Sequence, residues 1–200
     1  IMLVLRFMAG PIVHRLSPLG LLAVSAFLAI CGLTFLSQTT GMTIFLAATI
    51  YGLGKTFFWP TMLGVVSERF PQGGALTLNL MGGIGMLAAG VLGNALLGNI
   101  QDKEINRQLL AADPELHKQL VGEEKISIFG RYDSLDAEKV KAATAEDIKV
   151  VDAIKERAKK GALTTVALFP GLMLLSYLGL LLYFRAKGGY KPVDLASGTP

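Results

Sequence analysis

Apolar residues are gathered into long runs along this chain, and charge is gathered elsewhere. Four stretches, 19–37, 42–66, 75–100 and 162–184, carry a single charged side chain between them. Each is long enough for a helix that crosses a bilayer, which needs roughly 20 consecutive apolar residues. The opening "IMLVLRFMAG" is apolar but too short to span, and it starts on Ile1. It reads as the tail of a helix begun upstream, so the chain is expected to be a fragment. No small-residue cleavage site follows a short apolar core, which argues against a signal peptide.

The segment between the third and fourth runs has a different pattern. "TAEDIKVVDAIKERAKK" starts on a capping-box pattern, Thr144 to Asp147, and carries Ile148, Val151 and Ile154 at helical spacing. "DKEINRQLLAADPELHKQL" reads as helix in pieces, interrupted near Pro114. A solvated helical hairpin on the membrane face fits this composition, and so does a small cap or binding module. The pattern predicts an all-α integral membrane protein. Transmembrane helices occupy 1–100, a charged and partly helical loop 101–161, a last transmembrane helix 162–185 and a tail 186–200.

Composition agrees, with 52% hydrophobic residues and a mean hydropathy of +0.52. The net charge of +4 could suggest nucleic acid, but its distribution does not. Segment 101–161 holds 12 basic and 13 acidic residues, so it offers no basic stripe. Cys31 is the single cysteine, and His14 and His117 lie far apart, so no metal site is expected. No phosphate-binding glycine loop or nucleophile elbow is present, so neither enzymatic activity nor a cofactor is expected.

The remaining basic residues set an orientation. Arg6 and Arg15 flank the first loop, Arg69 follows the second run, and Arg185, Lys187 and Lys191 follow the last. Basic residues in short loops favour the cytoplasmic side. The first loop, "SERFPQGG" and the C-terminus are therefore expected in the cytoplasm of a multi-pass protein of the cell (inner) membrane. "SQTTG" and 101–161 then face outward.

The runs differ in character. Those at 19–37 and 162–184 are plainly apolar and suited to face lipid, with a bend expected at Pro170. The run at 75–100 is crowded with glycine. Gly85, Ala89 and Gly93 form a small-residue seam at i, i+4, i+8, and Asn79, Asn94 and Asn99 could hydrogen-bond across it. That seam suits either a fixed helix–helix contact or a moving one.

The run at 42–66 contains the one misplaced charge. Lys55 lies about 20 Å from the outer end, near the midplane, too deep to snorkel with ease. A lysine there costs about 2.5–3.5 kcal/mol and usually faces a cavity or a partner. Tyr51, Lys55 and Trp59 share a helical face, with Thr56 alongside, and Pro60 cannot donate to the Thr56 carbonyl. A kink and a polar, aromatic-rimmed notch are expected. Either the lysine locks helices by an ion pair, or it lines a solute pathway. No acidic residue lies inside any run of this chain, so a pairing carboxylate would come from upstream.

"GPIVHR", Gly10 to Arg15, resembles a cytoplasmic loop signature of the major facilitator superfamily, Gly-x-x-x-Asp/Glu-Arg, with His14 at the acidic position. "SERFPQGG" followed by a glycine-rich helix is similar to the tenth-to-eleventh helix region of that family. The resemblance covers the leading fragment and the four runs; the long outward loop is atypical. It implies the C-terminal half of a 12-helix bundle: the end of helix eight, then helices nine to twelve. Helix ten would line a central cavity, helix eleven would form the moving contact between halves, and nine and twelve would support from outside. Alternating access around a midplane site would follow.

The expected function is secondary active transport of a small polar or anionic solute. The partners are that solute, the lipid bilayer and the missing N-terminal half of the same protein, with no nucleic acid. Tyr51, Lys55, Thr56 and Trp59 would lie on the pathway. Pro60, Gly85, Ala89, Gly93 and Asn94 would serve packing and gating, and Gly10, His14 and Arg15 the loop motif. The alternative is a non-transporting receptor or assembly protein that uses 101–161 as its binding module.

Overall fold

The structure is a computed structural model and describes residues 16–193. Two compact units divide the chain, one being Leu87–Val166 and the other the residues up to Met86 together with those from Ala167 onward.

In the unit holding the chain ends, α1 spans Pro18–Gln38. Ser17 caps it by accepting the Gly20 N–H at 3.2 Å, and Pro18 supplies a preset φ at its first position. One side of this helix, with Val24, Phe27 and Phe35, is exposed, and the other is covered. Leu19, Leu22, Ala26, Ala29 and Leu33 are buried. It packs against α2 (Thr43–Thr56), α3 (Phe58–Arg69) and α9 (Leu168–Ala186). Hydropathy alone cannot separate a protein-facing side from a lipid-facing one when both are apolar. The distinguishing feature is the row of small residues, Ser25, Ala29 and Gly32, that lets another backbone approach.

The run at 42–66 is not one long helix. It divides at Phe57 into α2 and α3, of 14 and 12 residues. The division falls three residues before Pro60, whose ring and missing N–H disfavour a continuous ladder through Thr56. The last run repeats this pattern: α8 (Ala145–Val166) gives way to α9 at Ala167, three residues before Pro170. Among the described residues, three helical stretches are long and apolar enough to cross a membrane: Pro18–Gln38, Pro71–Ala112 and Ala145–Ala186.

Within Pro71–Ala112, a 3₁₀ turn (Pro71–Gly73) leads into α4 (Gly74–Leu87), a π-helical turn (Ala88–Gly93) and α5 (Asn94–Ala112). The helix therefore runs past the end of its apolar stretch into charged sequence. It stops where Asp113 and Pro114 break the pattern.

Leu87–Val166 has its own core, formed by Leu109, Leu116, Leu120, Val151 and Ile154, with Ile105, Leu135 and Val140 against it. Three of its helices begin on side-chain caps. Asp113 Oδ1 accepts from the N–H groups of Glu115 and Leu116, starting α6 (Pro114–Leu120). Asp136 starts α7 (Ala137–Ala142). The Thr144 hydroxyl accepts from the Asp147 N–H at 3.2 Å and donates to Asp147 Oδ2 at 2.7 Å. This is the first half of a capping box, with the hydroxyl in place of the backbone N–H in the second. The departure from an all-helical loop is a β-hairpin. β1 (Val121–Ser127) pairs antiparallel with β2 (Gly130–Leu135), turning at Gly130 with φ +102°.

Candidate functional site

The Lys55 region is built on a close approach of α1 and α2. A Cβ on Gly54 would lie 2.6 Å from the Ala29 nitrogen, and one on Gly32 would lie 2.5 Å from the Tyr51 backbone. Ala47, Tyr51 and Gly54 form the α2 stripe turned to α1, at i, i+4 and i+7. Lys55 sits one position beyond that stripe and is exposed. Its ammonium stands 5.9 Å from the centre of the Tyr51 ring, within cation–π range. No carboxylate pairs with it among the described residues.

The helix division is next to the lysine. Phe57 holds φ −97° and ψ −9°, and its carbonyl accepts from the Thr61 N–H at 3.1 Å. Lys55 thus occupies the last turn of α2, where the negative end of the helix dipole favours a cation. Thr56 is placed differently from the expected pathway residue. It is buried, and its hydroxyl donates to the Gly52 carbonyl at 2.7 Å, inside its own helix. Pro60 is exposed on α3.

Trp59 continues onto α3 and packs against α4. A Cβ on Gly85 would lie 2.9 Å from the indole, and one on Gly82 would lie 3.9 Å from it. The structure therefore joins Tyr51 to Lys55 and Trp59 to Gly85 as two adjacent pairs on either side of Phe57. Ala89 and Gly93 are exposed, and both lie in the π turn. A π turn carries more residues than the 3.6 of an α-helix, and a row at i, i+4, i+8 still keeps to one face there. Asn94 bonds inside its own helix, donating to Gly90 O at 3.0 Å, and does not reach across a contact. Gly10, His14 and Arg15 lie outside the described residues.

Two contacts had no strong sequence signal. Glu68 and Arg69, at the end of α3, hold the chain after α9. The Tyr190 hydroxyl donates to Glu68 Oε2 at 2.7 Å, Val193 N–H donates to Glu68 O, and Arg69 Nη1 donates to Lys191 O. Arg69 also lies 4.8 Å from the centre of the Phe184 ring. Within Leu87–Val166, Asn99 is buried and donates to Ser127 Oγ at 3.3 Å, tying the hairpin turn to α5. Only the shared basic character of the segments hinted at the first contact, and only the glycine in "SIFGRY" hinted at the second.

Among the described residues no group of three His, Cys, Asp or Glu side chains is placed to hold a metal ion. Comparison of the chain with family models, curated proteins and solved structures finds no match.

Proposed function

We propose that this chain is part of a secondary transporter that moves a small polar solute, anionic where it meets Lys55, across a membrane by alternating access. The observation that carries the reading is the division of the 42–66 run at Phe57, beside the only charged side chain in that apolar stretch. Discontinuous helices with unpaired backbone groups at midplane depth are tolerated where they line a protein-walled cavity, and transporters place solute and ion sites there. A lysine facing lipid at that depth would carry an uncompensated cost of about 2.5–3.5 kcal/mol. The helix end offsets only about 0.3–1 kcal/mol of this. An anionic solute group, or a carboxylate from the upstream half, supplies the remainder. Tyr51 flanks the ammonium, and Trp59 on Gly85 forms the neighbouring contact that helix movement would open or close.

The test is solute counterflow into proteoliposomes containing the intact protein, run over a panel of small carboxylates, amino acids and sugars. An accumulated solute whose uptake falls at least tenfold in Lys55→Ala, about 1.4 kcal/mol, supports the pathway role. Unchanged uptake, affinity and pH dependence in that variant remove it.

A second reading has its own support in the independent core of Leu87–Val166, which suits a receptor or assembly module. Deleting 104–158 separates the two. A transporter keeps uptake, and a receptor loses its ligand.

A further inference from the structure

We infer that the turn of the β1–β2 hairpin rests in the interfacial layer of the bilayer, its apolar tip inserted among lipid headgroups and upper acyl chains. The inference depends on the reading that the apolar part of Pro71–Ala112 spans the membrane.

The tip is apolar and uncovered. Ile126 is 78% exposed and Ile128 70%, Phe129 is exposed beside them, and nothing lies within 4 Å of a Cβ placed on Gly130. Elsewhere in Leu87–Val166 the large apolar side chains of the loop helices are mostly turned into the core, so a tip of three exposed ones calls for a covering medium.

The direction of the hairpin identifies that medium. Ser127, at the turn, is bonded by Asn99, and Asp133, further along β2, is bonded through its carbonyl by Asn106. Asn99 and Asn106 are about 10 Å apart along α5 at 1.5 Å per residue. Gly130 and Asp133 are about 10 Å apart along β2 at 3.4 Å per residue. The hairpin therefore lies along α5 with its turn pointing back toward the N-terminal end of that helix. That end, "NALLGNI", is the close of the apolar run, and Asp102 is the first charge beyond it. Ile128 and Phe129 extend past Ser127 to the level of about Leu97, on the order of 7 Å below Asp102. Leu92 and Leu97 are themselves exposed, so the tip prolongs an apolar surface already present on the helix.

The charges next to the tip suit an interface. Lys125 and Arg131 bracket it, both largely exposed, with carboxylate partners only at 4.0 Å and 3.5 Å. Long basic side chains at this level reach headgroup phosphates while their stems lie on apolar surface.

Depth-dependent quenching on the full chain tests this. In a Cys31→Ser background, Ile128→Cys carries an environment-sensitive fluorophore in vesicles of phosphatidylcholine and phosphatidylglycerol. Val91→Cys, on the apolar run, and Lys118→Cys, on α6, serve as references. Headgroup nitroxide lipids should quench the probe at 128 several-fold more than aqueous iodide does. Deep acyl nitroxides should quench the probe at 91, and iodide alone the probe at 118. If 128 behaves like 118 while 91 is quenched from the acyl region, the inference is overturned and the spanning reading stands. If 91 also behaves like 118, both fail. If 128 is shielded from every quencher, a protein covers the tip, and the lipid assignment is again overturned.

Discussion

The indole of Trp59 lies against the backbone of Gly85, close enough that a Cβ on that glycine would stand 2.9 Å from ring atom Cζ3. Gly85→Ala therefore forces the ring to move. Overpacking costs about 1–3 kcal/mol, while the helix gains roughly 1 kcal/mol from losing a glycine. A net loss of about 0–2 kcal/mol is expected in detergent unfolding. Trp59→Leu should remove most of the penalty, so the double variant is less unstable than the sum of the singles. Additive losses would mean that the two residues do not touch.

Gly54 meets backbone rather than a side chain, with the Ala29 nitrogen 2.6 Å from its absent Cβ. Backbone cannot swing aside, so Gly54→Ala must separate α1 from α2, at a cost of about 1–3 kcal/mol. Gly83, which has nothing within 4 Å, is the control. Gly83→Ala should be neutral or slightly stabilising in the same thermal melt.

Much of this arrangement was legible in the sequence, for identifiable reasons. Pro60 and Pro114 announced breaks because proline cannot donate a backbone hydrogen bond, and the chain divides at Phe57 and at Asp113. Thr144 accepts the Asp147 N–H as their spacing indicated, and Val151 and Ile154 enter the core, while Ile148 is half-buried. Which side of α1 is covered was not legible, because an apolar helix looks alike from every side. The hairpin escaped notice because its strands, VGEEKIS and GRYDSL, do not alternate apolar and polar residues and lie among helical segments. The π turn at Ala88–Gly93 has no residue type that marks it, so a pattern at 3.6 residues per turn does not reveal it.

The core of Leu87–Val166 offers a neighbouring pair for comparison. Leu109 is fully buried, and Leu110 is exposed. Leu109→Ala should cost about 2–5 kcal/mol and speed amide exchange across α5 and α8. Leu110→Ala should stay within about 0.5 kcal/mol of the parent. Equal effects would contradict the packing described.

Tyr190 and Glu68 hold the chain after α9 to the end of α3. Burial, and then the hydrogen bond and charge of Glu68, raise the Tyr190 phenol above its ordinary value. An acid whose pKa is raised on folding keeps its stabilising contribution below the unfolded value, about 10 for tyrosine, and loses it as pH rises through the folded one. Tryptic cleavage at Lys187 should therefore show no loosening of this contact between pH 7 and 9, with the onset only above about pH 10. Tyr190→Phe, losing about 1–2 kcal/mol, should speed cleavage already at pH 7. A parent and variant cleaved alike at pH 7 would show that the bond does not hold the segment.

The most direct test of the proposed transport pathway is whether water reaches residue 55 within the membrane. In a Cys31→Ser background and intact proteoliposomes, Lys55→Cys is treated with a membrane-impermeant thiol reagent. Ile84→Cys, an exposed apolar position on α4, serves as the lipid-facing reference. The predicted result is modification at 55, slowed by the transported solute, with 84 unreactive. A cysteine at 55 that stays unmodified from either side, as 84 does, would place the lysine in a sealed helix contact and contradict the pathway.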